Sequence, residues 1–193
     1  MLNWMAGKNF CRMPRAPDAH LEERLVTAAL CLLDEQGLEA VTMRAVAAAA
    51  GTSTPTLYER FADRDALLKG LVLRVQQAMI SAVQSARNAE GFVKAYIRFS
   101  CRYRHRFELG IRTFGLRLAS GEPMPVFNIL RQILARETAA SGRAVENLAL
   151  AVAALIFGTV EGMIAAGLDH RRAMDLQRAC LSALKLLLAA FHR

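Results

Sequence analysis

Residues 42–68 constrain the fold more than any other part of the chain, and they read TMRAVAAAAGTSTPTLYERFADRDALL. Gly51 divides this stretch into two short helices, because glycine adopts the left-handed conformation that ends a helix at little cost. Ser53 or Thr54 is suited to cap the second helix, and Pro55 is suited to its first turn. The stretch therefore predicts a helix, a tight turn and a second helix in close succession.

The apolar residues of this stretch indicate which sides of the two helices are buried. Leu57 and Phe61 lie four residues apart, so both fall on one face of the second helix and anchor it to a core. Val41 and Val46 flank Thr42 in the spacing of a hydrophobic staple, which predicts that Thr42 caps the first helix. Two helices joined in this way form the helix-turn-helix plan, whose second helix enters the major groove of DNA.

A longer ordered pattern runs through the same residues. Its members are Gly51, Thr52, Ser53, Thr56, Leu57, Tyr58, Phe61, Arg64 and Leu67. The pattern resembles the signature of the TetR family of transcriptional regulators, and the resemblance covers roughly residues 21–70. It implies a three-helix DNA-binding head, followed by a helical body that binds a small molecule and forms a dimer.

Composition supports a fold made of helices throughout. Hydrophobic residues make up 54% of the 193 residues, Pro is scarce at 5, and no alternating β-branched runs occur. We therefore expect an all-α protein with three parts: a flexible N-terminal arm at 1–19, a helix-turn-helix head at 20–65, and a ligand-binding and dimerisation body at 66–193. The arm lacks the apolar core of a signal peptide, and either Met1 or Met13 is the expected start.

Periodicity and capping residues predict the helix boundaries. The first helix is expected from about Leu21 to Gln36, and Asp63 is expected to cap a fourth helix that runs to about Arg87. Its inner positions are predicted to be Leu67, Leu71, Val75 and Ile80. Further helices are expected over about 90–118, with a break near 105–110, and over about 125–140, 143–168 and 172–192.

The net charge of +8 is not evidence for DNA binding, because of where the charge lies. Residues 1–70 contain 8 basic and 9 acidic side chains, whereas residues 71–140 contain 11 and 4. The basic excess thus lies outside the predicted head, and a solvated basic surface on the body accounts for it.

Phosphate contacts are predicted for Thr42, Tyr58 and Arg64. Thr42 presents a hydroxyl and free N–H groups at a helix start, which suit an anion and are also compatible with a plain cap. Arg64 stands where the family has a phosphate-binding lysine, so the charge is retained. A phenol at Tyr58 can bond a phosphate and fix the register on DNA, and ordinary aromatic packing is the alternative. Base contacts are expected from the exposed front of the second helix, although Glu59 could instead pair with Arg60 in solvent. The predicted base-contacting residues are Thr54, Pro55, Thr56 and Glu59.

Aromatic residues in the body predict an apolar ligand pocket, with plain core packing as the alternative for each of them. The predicted pocket residues are Tyr96, Phe99, Tyr103, Phe107, Phe114, Phe127, Phe157 and Glu161. Residues 94–118 also carry seven cations against Glu108 alone, so one or two facing inward would favour an acidic apolar effector. Glu161 is the opposite hint, because it could bind a basic ligand group or pair with an arginine across a subunit interface.

The segment 148–168 is 21 residues long with Glu161 as its one charge, which is long enough to cross a bilayer. An acidic residue in the apolar layer and many small residues argue against that interpretation, so we expect no membrane partner. Small residues here and leucines in the last helix predict instead a four-helix bundle across the axis of a homodimer.

Catalytic and cofactor-binding patterns are not evident in the sequence. The four histidines lie far apart, and no nucleophile elbow, phosphate loop or dinucleotide fingerprint occurs, so neither an enzyme, a metal nor a cofactor is expected. The sequence predicts a cytoplasmic, ligand-responsive repressor that binds double-stranded DNA at a palindromic operator. The alternatives are an activator or global regulator on the same fold, and a helical interaction protein that has lost DNA binding.

Overall fold

The computed structural model describes residues 20–191, and within this range the chain forms helices and no strands. This confirms the predicted all-α fold class. The predicted arm at 1–19 lies outside the described residues. The helices are α1 (Leu21–Gln36), α2 (Met43–Ala49), α3 (Thr54–Tyr58), α4 (Arg64–Val83), α5 (Ala89–Arg102), α6 (Arg104–Ser120), α7 (Pro125–Thr138), α8 (Gly142–Ala165) and α9 (His170–Phe191).

Side-chain caps fix the starts of the three helices that follow α1. The Thr42 hydroxyl accepts a hydrogen bond from the Ala45 N–H at 3.2 Å, which caps α2. Ser53, rather than Thr54, caps α3. Asp63 Oδ1 accepts from Ala66 N–H at 2.7 Å and caps α4. Each cap contributes about 1 kcal/mol by satisfying a backbone donor that the helix leaves unpaired.

Two hydrophobic cores divide the described chain, and α4 belongs to both. The head core contains buried side chains of α1, α2, α3 and the first half of α4, as far as Val75. The body core begins on α4 at Met79 and continues through α5 to α9. One residue of the body helices, Leu109 of α6, is buried in the head core. The domain boundary at residue 65 remains a proposal.

Three details of the sequence-based helix assignment were wrong, one inner position and two boundaries. Ile80 is only half-buried, because the inner stripe of α4 runs in steps of four from Val75 to Met79 and Val83. The same helix ends at Val83 rather than near residue 87, since the next helix already begins after its own cap at Asn88, whose Oδ1 accepts from Gly91 N–H at 2.8 Å. The break between α5 and α6 falls at Tyr103, earlier than the predicted 105–110.

Both α4 and α8 are long and apolar enough to cross a membrane by length and composition alone. The sequence-based interpretation had singled out only the second of them. Such a result is weak evidence for a span, because helices that form a protein core pass the same test. Val75 and Met79 of α4 and Val152 and Ile156 of α8 are buried in the two cores described above.

Candidate functional site

The short helix α3 has one buried face and one exposed face. Leu57 is fully buried in the head core and Phe61 follows it there, whereas Pro55, Tyr58 and Glu59 are exposed. Tyr58 is the last residue of α3. Its side chain is 51% exposed, so its hydroxyl is open to a partner outside the chain. Packing therefore does not account for this aromatic residue.

The two threonines of α3 differ in their freedom to contact bases. Both Thr54 and Thr56 are half-buried. The Thr56 and Ser53 hydroxyls lie 2.8 Å apart and hydrogen-bond each other, so the Thr56 hydroxyl is already engaged at the start of the helix. Thr54 and the exposed ring of Pro55 are the freer of the predicted base-reading groups.

Two of the three guanidinium nitrogens of Arg64 are hydrogen-bonded within the head. Its Nε donates to the Val41 carbonyl at 2.8 Å, and one terminal nitrogen donates to the Leu38 carbonyl at 2.9 Å. These bonds tie the start of α4 to the turn that precedes α2. The other terminal nitrogen remains for a phosphate. Arg64 therefore orients the head in addition to any contact with DNA.

Two other cations of the head are exposed and make no ion pair within the described residues, namely Arg44 and Arg60. Arg44 is the second residue of α2 and follows closely on the Thr42 cap. A helix N-terminus favours an anion, and a nearby arginine adds a full positive charge. The sequence-based site omitted Arg44, although its place within one turn of a predicted cap was a usable signal.

The body contains an apolar cavity among α4, α5, α6, α7 and α8. The space inside it that a water-sized molecule can reach is about 100 Å³, and the empty space together with the open mouth is about 830 Å³. The cavity is lined by Val72, Val75, Gln76, Met79, Phe92, Tyr96, Arg106, Phe107, Leu109, Gly110, Thr113, Phe114, Arg117, Met124, Val126, Phe127, Leu130, Ala153, Ile156 and Phe157.

Five of the eight predicted pocket residues line this cavity, and their rings pack against one another. Phe157 is central, with its ring centre 4.9 Å from that of Phe114, 6.1 Å from Tyr96 and 6.2 Å from Phe107. Phe127 completes the group through an edge contact with Phe114. Aromatic walls of this kind suit an apolar molecule.

Phe99, Tyr103 and Glu161 were predicted to line the pocket, and the structure places them outside it. Phe99 lies almost one turn beyond Tyr96 on α5 and packs on the Tyr103 ring at 5.0 Å. Tyr103 occupies the break between α5 and α6, where its ring packs on Phe99 and lies against the Arg106 guanidinium. Glu161 is exposed, because it shares the outer face of α8 with Ala154 and Gly158.

Two charged residues line the cavity, Arg106 and Arg117, and the lining residues include no carboxylate. Arg117 is held within the body, where its Nε donates to Glu122 at 3.2 Å and a terminal nitrogen donates to the Pro123 carbonyl. The amide oxygen of Gln76, in the orientation that satisfies both groups, accepts from the same guanidinium. This network joins the end of α6 to α4 and to the segment before α7.

Arg106 joins the cavity wall to the head. Its Nε donates to Asp34 Oδ1 at 2.8 Å and its Nη2 donates to Oδ2 at 2.6 Å, a two-pronged pair between α6 and α1. The guanidinium also lies over the Tyr103 ring at 4.1 Å. The hydrogen bond to Asp34 raises the pKa of Arg106. The pair was invisible to sequence reasoning, since 72 residues separate its members.

Tyr96 provides a hydrogen-bond donor inside the cavity. Burial raises the pKa of its phenol, so the group stays neutral. Within the described residues the hydroxyl has no hydrogen-bond partner. A polar atom of a bound molecule would be a partner for it.

Comparisons with known proteins agree with this geometry. The sequence model described as bacterial regulatory proteins of the tetR family matches residues 25–71. A curated relative, the HTH-type transcriptional repressor DrrR1 of Streptomyces coeruleorubidus, is 40% identical over 76 residues, which are 39% of this chain and 27% of that protein. The chain thus matches about a quarter of that relative's length.

Solved structures share the fold over most of the chain. BioQ of Mycobacterium smegmatis superimposes with a TM-score of 0.67 at 20% identity, covering 89% of this chain and 97% of that one. A single-residue variant of TetR from Acinetobacter baumannii AYE, solved in complex with minocycline, gives 0.63 at 22% identity over 89% and 96%. The chain has the all-α fold that these structures share, with a helix-turn-helix in its head. Within that fold, residues 25–71 are similar in sequence to the tetR family of bacterial regulatory proteins.

Proposed function

We propose that this protein is a cytoplasmic, homodimeric transcriptional repressor that binds a palindromic operator and leaves it when a small apolar molecule enters the body. The proposal rests on one observation: α2 and α3 expose residues on one side, while side chains on their other side are buried in the head core. Leu57 and Phe61 hold α3 in the head core, while Tyr58, Pro55 and the Thr42 cap remain open. Binding, not catalysis, is the activity that this arrangement supports.

Phosphate contacts in this proposal come from Thr42, Tyr58, Arg44 and the free terminal nitrogen of Arg64. These groups set position and orientation on the duplex. Thr54 and Pro55 then face the bases, with Thr56 and Glu59 at the edges of the contact. A five-residue recognition helix can read only a short half-site, so specificity requires two heads whose half-sites lie about one helical turn, or a multiple, apart.

The outer face of α8 supports the dimer. A row of exposed residues in steps of three and four runs along this helix, and most of them are small: Asn147, Ala151, Ala154, Gly158, Glu161 and Ala165. On α9 a similar row contains Ala179, Ser182 and Leu186, the last of which is 75% exposed. Small residues allow a second copy of the same two helices to approach closely, which gives a two-fold four-helix bundle.

The cavity supports the effector part of the proposal. It lies where α4 passes from the head core to the body core, and Val75 and Leu109 contribute to both the cavity wall and the head core. A molecule that displaces these side chains would shift the head. Two arginines and no carboxylate on the wall support the acidic apolar effector that the sequence suggested, and the exposed Glu161 gives no support to a cationic one.

The test of the proposal begins with selection of DNA from a random duplex library by the full chain, followed by sequencing. The proposal expects an enriched palindrome. Affinity for that palindrome would then be measured by fluorescence anisotropy over a salt series. Arg44→Ala should lower the slope of log affinity against log salt by about one per half-site, because one phosphate contact is lost.

Arg87→Ala is the matched control, since Arg87 is an exposed arginine beyond the end of α4 and outside the head core. It should leave the slope unchanged. An equal effect of both substitutions would mean that general charge governs DNA affinity. A wild-type chain that enriches no sequence would favour the helical interaction protein instead.

A further inference from the structure

We propose that Asp34 of the head and an anionic effector compete for Arg106. An anionic group on an apolar molecule in the cavity draws this guanidinium away from Asp34. The contact between α6 and α1 is thereby weakened. The inference rests on the proposed ligand-binding function of the body. It adds the residue pair through which occupancy of the cavity reaches the head.

The position of Arg106 allows it to serve both sides. An arginine has five N–H donors. Nε and Nη2 of Arg106 bind Asp34, and those on Nη1 have no partner among the residues that the structure describes. The side chain lines the cavity and is only 12% exposed. Water therefore screens little of its attraction for an anion that enters.

An incoming carboxylate competes with Asp34 for the same guanidinium. Two carboxylates beside one arginine also repel each other, so each weakens the hold of the other. Asp34 can leave at modest cost, because its side chain is 28% exposed and water can solvate it. A neutral molecule would attract the Arg106 guanidinium much less than a carboxylate does. A cation would be repelled by Arg106 and Arg117.

The contact that would loosen is a direct link from cavity to head. Leu109, three residues along α6 from Arg106, is buried in the head core. His105 lies against Gly37, where a Cβ added to the glycine would come within 3.3 Å of the imidazole. Arg117 makes no bond to α1, α2 or α3, because its partners are Gln76 of α4, Glu122 and Pro123. An anion at Arg106 therefore acts directly on the contact with α1, and one at Arg117 does not.

The first experiment uses decanoate and decan-1-ol, which share an apolar chain and differ in the charged group. Their affinities would be measured by calorimetry for the full-length wild type and for Asp34→Asn. Removing the competing carboxylate should raise the affinity for decanoate about tenfold, the value expected for one hydrogen bond to a charged group. The affinity for decan-1-ol should not change.

Glu146→Gln is the matched control, because Glu146 forms an ion pair with Arg131 at 3.4 Å outside the cavity. It should change neither affinity. Arg106→Gln should lower the affinity for decanoate about tenfold, and adding Asp34→Asn to it should then have no effect. Equal decanoate affinities in the wild type and Asp34→Asn would overturn the inference. Decanoate and decan-1-ol affinities that rise together in Asp34→Asn would do the same, as would failure of every variant to bind decanoate.

The second experiment measures affinity for the palindrome selected by the wild type. Asp34→Asn should weaken DNA binding without any effector, and decanoate should weaken it less than in the wild type, because the link is already cut. If the wild type binds decanoate but selects no DNA, the proposed regulatory function fails while the calorimetric comparison still decides whether Arg106 is shared. Unaltered DNA release by decanoate in Asp34→Asn would contradict the inference and leave the repressor function standing.

Discussion

Leu71 in the head core and Leu130 in the body core are both buried leucines, but their surroundings differ. Leu71 is enclosed among α1, α2, α3 and α4, whereas Leu130 forms part of the cavity wall. The body also leaves the small-residue face of α8 uncovered. In the head, the exposed residues of α1 are polar or charged apart from Cys31, namely Glu22, Glu23, Arg24, Thr27, Glu35 and Gln36. The head thus satisfies its apolar side chains within one chain, and the body leaves room for a small molecule and for a second subunit.

The largest effect is expected on the oligomeric state, from a substitution on the exposed face of α8. Gly158→Arg should convert the proposed dimer to a monomer, because the glycine is exposed and nothing lies within 4 Å of an added Cβ in one chain. The substitution is therefore harmless to the monomer and blocks only close approach of a second copy. Sedimentation velocity at micromolar concentration would measure the change.

Gly115→Arg is the control for that substitution. It places the same side chain at an exposed, open position on α6, outside the exposed rows of α8 and α9. Both variants exchange glycine for a better helix former, so neither should destabilise its own helix. Identical sedimentation of Gly158→Arg and the wild type would remove the α8 face from the interface.

An effect of intermediate size is expected on the free energy of unfolding when a leucine is truncated in each of the two cores. Leu71→Ala is expected to lower the free energy of unfolding by about 4 kcal/mol, and Leu130→Ala by about 2 kcal/mol, because a side chain on a cavity wall loses fewer contacts. Chemical denaturation followed by circular dichroism would give both values. Equal losses would mean that the cavity is closed in solution.

The smallest effects should come from two helix caps. Thr42→Ala and Asn88→Ala each remove one side-chain hydrogen bond at a helix start and should each cost about 1 kcal/mol of stability. Only the first should also weaken DNA binding, because its hydroxyl and N-terminal amides face outward from the head. Anisotropy on the selected palindrome would compare them. A matching loss of DNA affinity in Asn88→Ala would show that the caps act through stability alone.

Capping chemistry explains why the helices of the head were predictable. Thr42, Ser53 and Asp63 each bond a backbone donor three residues ahead, and Gly37 and Gly51 adopt positive φ at the ends of the first two helices. Such interactions span a few residues, so the sequence alone carries them. The wrong break between α5 and α6 has the opposite origin. It falls at Tyr103, where no glycine, proline or cap marks it, and where the ring packs on Phe99 and Arg106.

Local periodicity therefore determined the all-α class, the helix-turn-helix and most of the aromatic residues that line the cavity. Tertiary structure decided which of seven cations in 94–118 face that cavity, and it selected Arg106 and Arg117. It also brought Asp34 to Arg106 and Leu109 into the head core. Periodicity fixes the face of a helix on which a side chain lies, but only the packing of distant helices decides what that face meets.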